Sequence, residues 1–266
     1  MDALERKVVL KVENVFKNFG SVVALNDVSL EVYEDEVVGL VGDNGAGKST
    51  LIKILSGVFP PDKGSLVLEG KKVHFKSPSD AQNNGVETVY QDLALCGNLD
   101  AVANLFIGRE ICRKFLGLEI LQKVEMDKRA AEVLSRIGTN FPSVHEQVEY
   151  MSGGQRQTVA LGRFVAWGQK LILLDEPTAA LGVRETGHVL ELVAKTRKEK
   201  GISMLLISHN LQHVFKIADR IIVMRLGEVV GERVRVNTTP DEIVSLITGA
   251  VLVNREPNEE DALNKL

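Results

Sequence analysis

Residues 37–55 read V-V-G-L-V-G-D-N-G-A-G-K-S-T-L-I-K-I-L, and this stretch decides the fold. Val37 to Val41 is a short apolar run of the buried parallel-strand type, while Leu51 to Leu55 carries apolar residues at helical spacing. Between them, Gly42 to Ser49 fits G-x-x-x-x-G-K-[ST], so the motif stands in the strand–loop–helix setting that its chemistry requires. Gly42, Gly45 and Gly47 lack a Cβ; the backbone there is free to take positive φ and aim successive N–H groups at one anion. Lys48 supplies a point charge for the β- and γ-phosphates of a nucleoside triphosphate, and the Ser49 hydroxyl a ligand for Mg²⁺. The candidate nucleotide contacts in this loop are Gly42, Asn44, Gly45, Ala46, Gly47, Lys48, Ser49 and Thr50. The plain alternative, a Gly-rich turn joining a strand to a helix, leaves the lysine and the serine unexplained.

A second phosphate-reading tract lies far downstream, where Met151 to Gln155 reads M-S-G-G-Q. Ser152 in an N-cap position, with the N–H groups of Gly153, Gly154 and Gln155 behind it, makes an anion site that the helix dipole strengthens. The first loop already holds one set of phosphates. A distant second site therefore predicts a phosphate clamped between two subunits, in a nucleotide-sandwich dimer.

Three further positions join the set. Leu171 to Leu174 is another buried strand, and Asp175 and Glu176 emerge at its C-terminal end, where ligands sit in open α/β sheets. Asp175 is assigned to the metal and Glu176 to deprotonating the attacking water; the competing reading is a carboxylate that merely caps the next helix. Ser208-His209 ends a further strand, where His209 is positioned to contact the γ-phosphate, although a lone histidine there is more often a satisfied polar residue. Gln91 follows the strand Val86 to Tyr90 and offers an amide oxygen to Mg²⁺ or water. Phe19 offers a flat face for adenine, or else is a core residue.

The chain has 266 residues, 44% hydrophobic and 26% charged, with a formal net charge of −4. That describes one large α/β domain or two small ones with a substantial core, and it argues against a broad nucleic-acid face. Cys96 and Cys112 have no metal-ligand spacing and make no disulfide framework, which suits a reducing compartment. No secretory leader is expected from the first residues, and no apolar run approaches the roughly 18 residues needed to span a bilayer.

Val8–Val15 and Val22–Val32 read as strands of an antiparallel sheet, with Leu66–Leu68 and Val73–Phe75 as a hairpin of the same sheet. From Ala101 to about Val165 the pattern is read as a mainly helical insert, with Ala130, Ala131, Val133, Leu134 and Ile137 on one face. The αβ rhythm resumes with strands at 171–174, 203–208 and 221–224, a final hairpin around Gly227, and a short helix opened by Pro240. Residues 250–266 are polar and acidic, and are expected to form a mobile tail. Leu93, Leu95, Leu99 and Phe106 are expected to form an apolar docking surface, or in part to pack inside the insert.

In the order given, the phosphate loop, Gln91, M-S-G-G-Q, L-I-L-L-D-E-P-T and His209 resemble an ATP-binding-cassette (ABC) ATPase over residues 1–249. The tracts L-S-G-V-F-P-P-D-K-G, V-Y-Q-D-L-A-L-C and N-L-F-I-G-R-E are more narrowly similar to cassettes of bacterial simple-sugar importers, of the ribose, galactose, xylose and fructose type. The resemblance implies a P-loop NTPase core of mostly parallel sheet, an N-terminal antiparallel β subdomain and a helical signature-motif subdomain at about 96–166. It implies ATP and Mg²⁺, a second copy of the chain, a membrane permease and a sugar-binding protein, and a cytoplasmic place on the inner face of the membrane. Other importers, exporters and nucleic-acid-directed cassettes are the competing readings. Two departures stand out: Met151 replaces the usual Leu, and Gly182 replaces the usual Asp. Gly182 either removes an interface carboxylate or serves a backbone that needs positive φ.

Overall fold

The structure, a computed structural model, describes residues 6–90, 95–137, 143–167, 169–179 and 182–250. Two long strands, β1 (Val8–Phe19) and β2 (Val22–Tyr33), pair antiparallel. The tract Asn26-Asp27, which has turn-forming residues, lies inside the continuous strand β2: Asp27 takes a φ of 55° where the register shifts, as does Asn14 of β1 at 46°, as bulges do. Next come β3 (Val37–Val41), α1 (Lys48–Leu55), β4 (Lys63–Leu68), β5 (Lys71–Val73), α2 (Pro78–Asn83) and β6 (Val86–Val89). The order β2-β1-β4-β5 completes the antiparallel sheet expected at the N-terminus, but its last strand lies at Lys71–Val73 and not at the expected Val73–Phe75; Phe75, past the strand, is buried in the core.

The insert follows, with α3 (Ala101–Phe106), the hairpin β7 (Cys112–Phe115) and β8 (Leu118–Leu121), α4 (Lys123–Ile137) and α5 (Gly153–Trp167). Its expected helical character holds for three elements, but the β7–β8 hairpin departs from it. Within α4, Met126, Ala130, Val133 and Leu134 are buried and Ala131 is exposed, so the apolar face lies one step round from the one predicted. Phe106 is also corrected: at 1% exposure it packs with Leu105, Ala130, Leu134 and Val148 inside the insert, and it is not part of any docking surface.

The chain closes with β9 (Leu171–Asp175), α6 (Val183–Lys200), β10 (Ser203–Ile207), α7 (Leu211–Ile217), β11 (Arg220–Arg225), β12 (Glu228–Val234) and α8 (Pro240–Thr248). The second sheet runs β12-β11-β3-β10-β9-β6, parallel except for β12. The strands β3 and β10 are buried at every position and β9 at all but its last, as a sheet covered on both faces demands. One face packs with α1 and the antiparallel sheet, around Leu25, Ile52, Leu173 and Ile222. The other packs under α6, α7 and α8, around Val193, Met204, Val214 and Ile243. Arg220 locks the sheet's lower edge, donating to both Glu36 oxygens at 2.9 and 2.8 Å and to Glu232 at 2.6 Å. Such a buried ion pair needs both partners present.

Candidate active site

Strand order builds the site. Ile207 pairs with Leu40 on one side and with Asp175 on the other, so the C-terminal ends of β3, β10 and β9 stand side by side. The phosphate loop leaves β3, His209 follows β10, and Glu176 follows β9. These segments open on one groove of about 450 Å³, lined by Phe19, residues 44–50, Asp175, Glu176 and His209. Gly42 lies at the edge of the neighbouring groove.

In the loop, Gly42, Gly45 and Gly47 take φ of 154°, 82° and 99°, as the sequence predicts. At Gly47 a Cβ would sit 2.7 Å from both the Ala24 carbonyl oxygen and a Leu25 methyl, so substitution there is barred by crowding as well as by backbone shape. The Lys48 ammonium donates to the carbonyls of Gly42 at 2.6 Å and Asp43 at 2.8 Å. Burial pushes its pKa below the ordinary lysine value, while Glu176, Asp43 and Asp175 pull it back up. Ser49 is exposed at the start of α1, facing the groove.

Glu176 has a φ of 50°, a left-handed backbone rare for a residue with a side chain. Its N–H donates to Ile207 O at 3.0 Å. Its Oε1 accepts the His209 backbone N–H at 2.8 Å, and Oε2 lies 2.9 Å from His209 Nδ1. Both carboxylate oxygens are therefore held against the one histidine. On the far side of Pro177, the Thr178 hydroxyl lies 3.1 Å from His213 Nδ1, and the buried Gln157 side chain donates to the Pro177 carbonyl. Gln157 and His213 support the turn that carries Glu176, and nothing in their local sequence distinguishes them from ordinary helix residues.

The Phe19 end of the groove has apolar members that the sequence reading did not include. Phe19 is 48% exposed and meets Phe59 edge-to-face at 5.4 Å. Val22 and Val23, at 63% and 57%, extend its apolar surface along the groove. Two exposed valines directly after a Gly-containing turn were the available signal, since turns are ordinarily polar.

Residues 25–179 match the family model described as ABC transporter. The chain belongs to the ABC transporter family. Among its relatives is the xylose/arabinose import ATP-binding protein XylG of Sulfolobus acidocaldarius, 46% identical over 92% of this chain and 95% of that protein. The fructose import ATP-binding protein FrcA of Rhizobium meliloti is 42% identical over 95% and 96%. A solved dimeric ATP-binding cassette in a post-hydrolysis state, bound to ADP and phosphate, superposes with a TM-score of 0.73 at 27% identity, covering 85% of this chain and 98% of that one. As an ABC transporter ATPase, the chain binds ATP.

The family's signature tract does not reach the groove. Ser152 Oγ accepts the Gln155 N–H at 3.2 Å and Gln155 Oε1 accepts the Ser152 N–H at 2.8 Å, a reciprocal cap at the start of α5. Ser152 and Gly153 are exposed. Met151, the departure from Leu, is buried at 4% in the core of the insert, where a near-isosteric swap is tolerated. Gly182 caps α6 with φ −69° and ψ 168°. That is extended backbone open to any residue, so the account in which it needs positive φ is overturned. Gln91 and residues 251–266 lie outside the described residues.

Proposed function

We propose that this chain is the ATP-hydrolysing subunit of an importer for a simple sugar, working as a pair of identical copies on a membrane permease that receives its solute from a sugar-binding protein. The observation that carries the reading is Glu176 fixed by His209 in the groove that also holds Lys48. In that groove, the adenine lies on Phe19 with Val22 and Val23 alongside, the loop N–H groups and Lys48 grip the phosphates, and Glu176 accepts the proton of the water that attacks the γ-phosphate. His209 orients the carboxylate and contacts the γ-phosphate. Ser49 and Asp175 are hard oxygen donors opening on one groove, which suits Mg²⁺ bound through few protein ligands and substrate phosphates; Gln91 is proposed as the further ligand. When bound, the ion neutralises charge developing on the transferred phosphoryl group. Ser152, Gly153, Gly154 and Gln155 of each copy close the groove of the other.

No helix among the described residues is long and apolar enough to cross a membrane, so a separate permease supplies the path, with this chain on the cytoplasmic face. The import relatives favour a sugar as cargo, and no nucleic-acid partner is proposed. Glu176→Gln should keep ATP affinity and slow hydrolysis by at least about a hundredfold, the usual share of a general base. Turnover within about threefold of wild type would remove Glu176 from that role. Deleting the gene should abolish uptake of at least one of labelled xylose, arabinose, fructose or ribose; unchanged uptake of all four would sink the sugar assignment while leaving the ATPase intact.

A further inference from the structure

The β7–β8 hairpin is a sheet of its own, paired with no other strand among the described residues, and all eight of its strand residues are exposed. A lone two-stranded hairpin is marginal in water, and this one has no covered face to hold it. Leu116 and Gly117, at φ of 48° and 81°, form the two-residue turn that matches strand twist and makes the tip project. The register sets Phe115 opposite Leu118 and Arg113 opposite Ile120. Side chains alternate across a strand, so these four share one face, while Lys114 and Glu119 stand opposite each other on the reverse. Exposure climbs toward the tip: 45% at Ile120, 59% at Phe115, 69% at Leu118 and 87% at Leu116. Just beyond the second strand, Lys123 and Val124 follow, the valine 83% exposed.

The result is an apolar finger with Arg113 at its root and no acid on the apolar face. A protein groove would require a matching cleft of fixed shape. A bilayer requires only layers in order: hydrocarbon to take the tip, and anionic phosphate at the depth where the guanidinium lies. The charge and the gradient of exposure both follow that order. We propose that the hairpin docks on the surface of an anionic phospholipid bilayer, with Phe115, Leu116 and Leu118 entering the interfacial layer and Arg113 meeting lipid phosphate. The proposal does not depend on which solute is carried, nor on the roles assigned in the ATP groove.

The test is co-sedimentation of the full chain, without permease, with vesicles of phosphatidylcholine alone or mixed with phosphatidylglycerol. Wild type should pellet with the anionic vesicles at millimolar lipid and far less with the neutral ones. Leu116→Asp should weaken binding by about tenfold or more, since a carboxylate replaces the deepest apolar group. Arg113→Gln should weaken it by about fivefold, the worth of one cation near an anionic leaflet. ATP hydrolysis in solution should stay at the wild-type rate in both variants, which separates lost docking from lost folding. Failure of wild type to pellet with anionic vesicles, or equal pelleting by Leu116→Asp, overturns the proposal. So does loss of permease capture in Leu116→Asp when wild type ignores vesicles, because the finger then meets protein and not lipid.

Discussion

Glu176 carries a side chain at φ 50°, a conformation that costs on the order of 1 kcal/mol or more unless its surroundings enforce it. Here they do: its N–H is tied to Ile207 and its carboxylate to His209. Lys48 is the complementary residue, a buried lysine whose ammonium is already turned toward the loop carbonyls. Lys48→Ala should weaken ATP binding by about one to two orders of magnitude, from the roughly 1.5–3 kcal/mol of a charge-assisted phosphate contact. Calorimetry showing unchanged affinity would exclude Lys48 from the site. His213 gives a pH handle. Burial, then the neighbouring His209, holds its pKa below the ordinary 6.5. The unfolded chain thus binds the proton more readily, so His213 is harmless above pH 6.5 but costs stability as pH falls below it. His213→Gln should therefore show a smaller drop in melting temperature on acidification below pH 6.5 than wild type. An identical drop would show that His213 is not among the groups that set acid stability.

At the level of elements, α6 begins without a side-chain cap, because Gly182 has nothing to offer its first N–H groups. An aspartate there accepts such a bond, and relative to glycine this is worth a few tenths of a kcal/mol. Gly182→Asp should leave the melting temperature equal or raised by up to about 2 °C. If the missing carboxylate also governs communication between paired sites, the same variant should raise the Hill coefficient of ATP hydrolysis while Gly182→Ala does not. Loss of turnover and melting temperature in both variants would contradict the extended backbone seen at this position. The other element to respond to its setting is the helical insert. Its expected amphipathic stretch forms α4, yet Ala131 faces outward and Phe106 inward, since alanine is cheap to expose and a phenylalanine facing three helices is not. The hairpin at 112–121 was legible in principle: F-L-G-L within alternating residues is a turn between strands. Its apolar content read as helix instead.

Over the whole molecule, the tracts at 42–50 and 151–155 remain apart within one chain. The groove gathers Lys48, Asp175, Glu176 and His209, while Ser152 sits at the head of α5 with its own cap satisfied. Light scattering of Glu176→Gln should find a dimer with ATP and a monomer without it. Adding Ser152→Arg should keep the protein monomeric yet able to bind ATP. A dimer indifferent to Ser152, or a monomer at saturating ATP, would count against the shared site. What the sequence determined by itself was local. Three glycines, a lysine and a serine at fixed spacing dictate a phosphate cradle because only that backbone fits the anion, and short apolar runs ending in Asp175 or Ser208 dictate buried strands whose polar ends face a ligand. Which strands are neighbours was decided in three dimensions. Strand order β11-β3-β10-β9 is a matter of crossover and packing: Leu40 pairs with Ile207 and with Ile222, far along the chain, while Ile207 pairs with the much nearer Asp175. It alone brings Glu176 within 2.9 Å of His209, sets both beside Lys48, and leaves the hairpin uncovered.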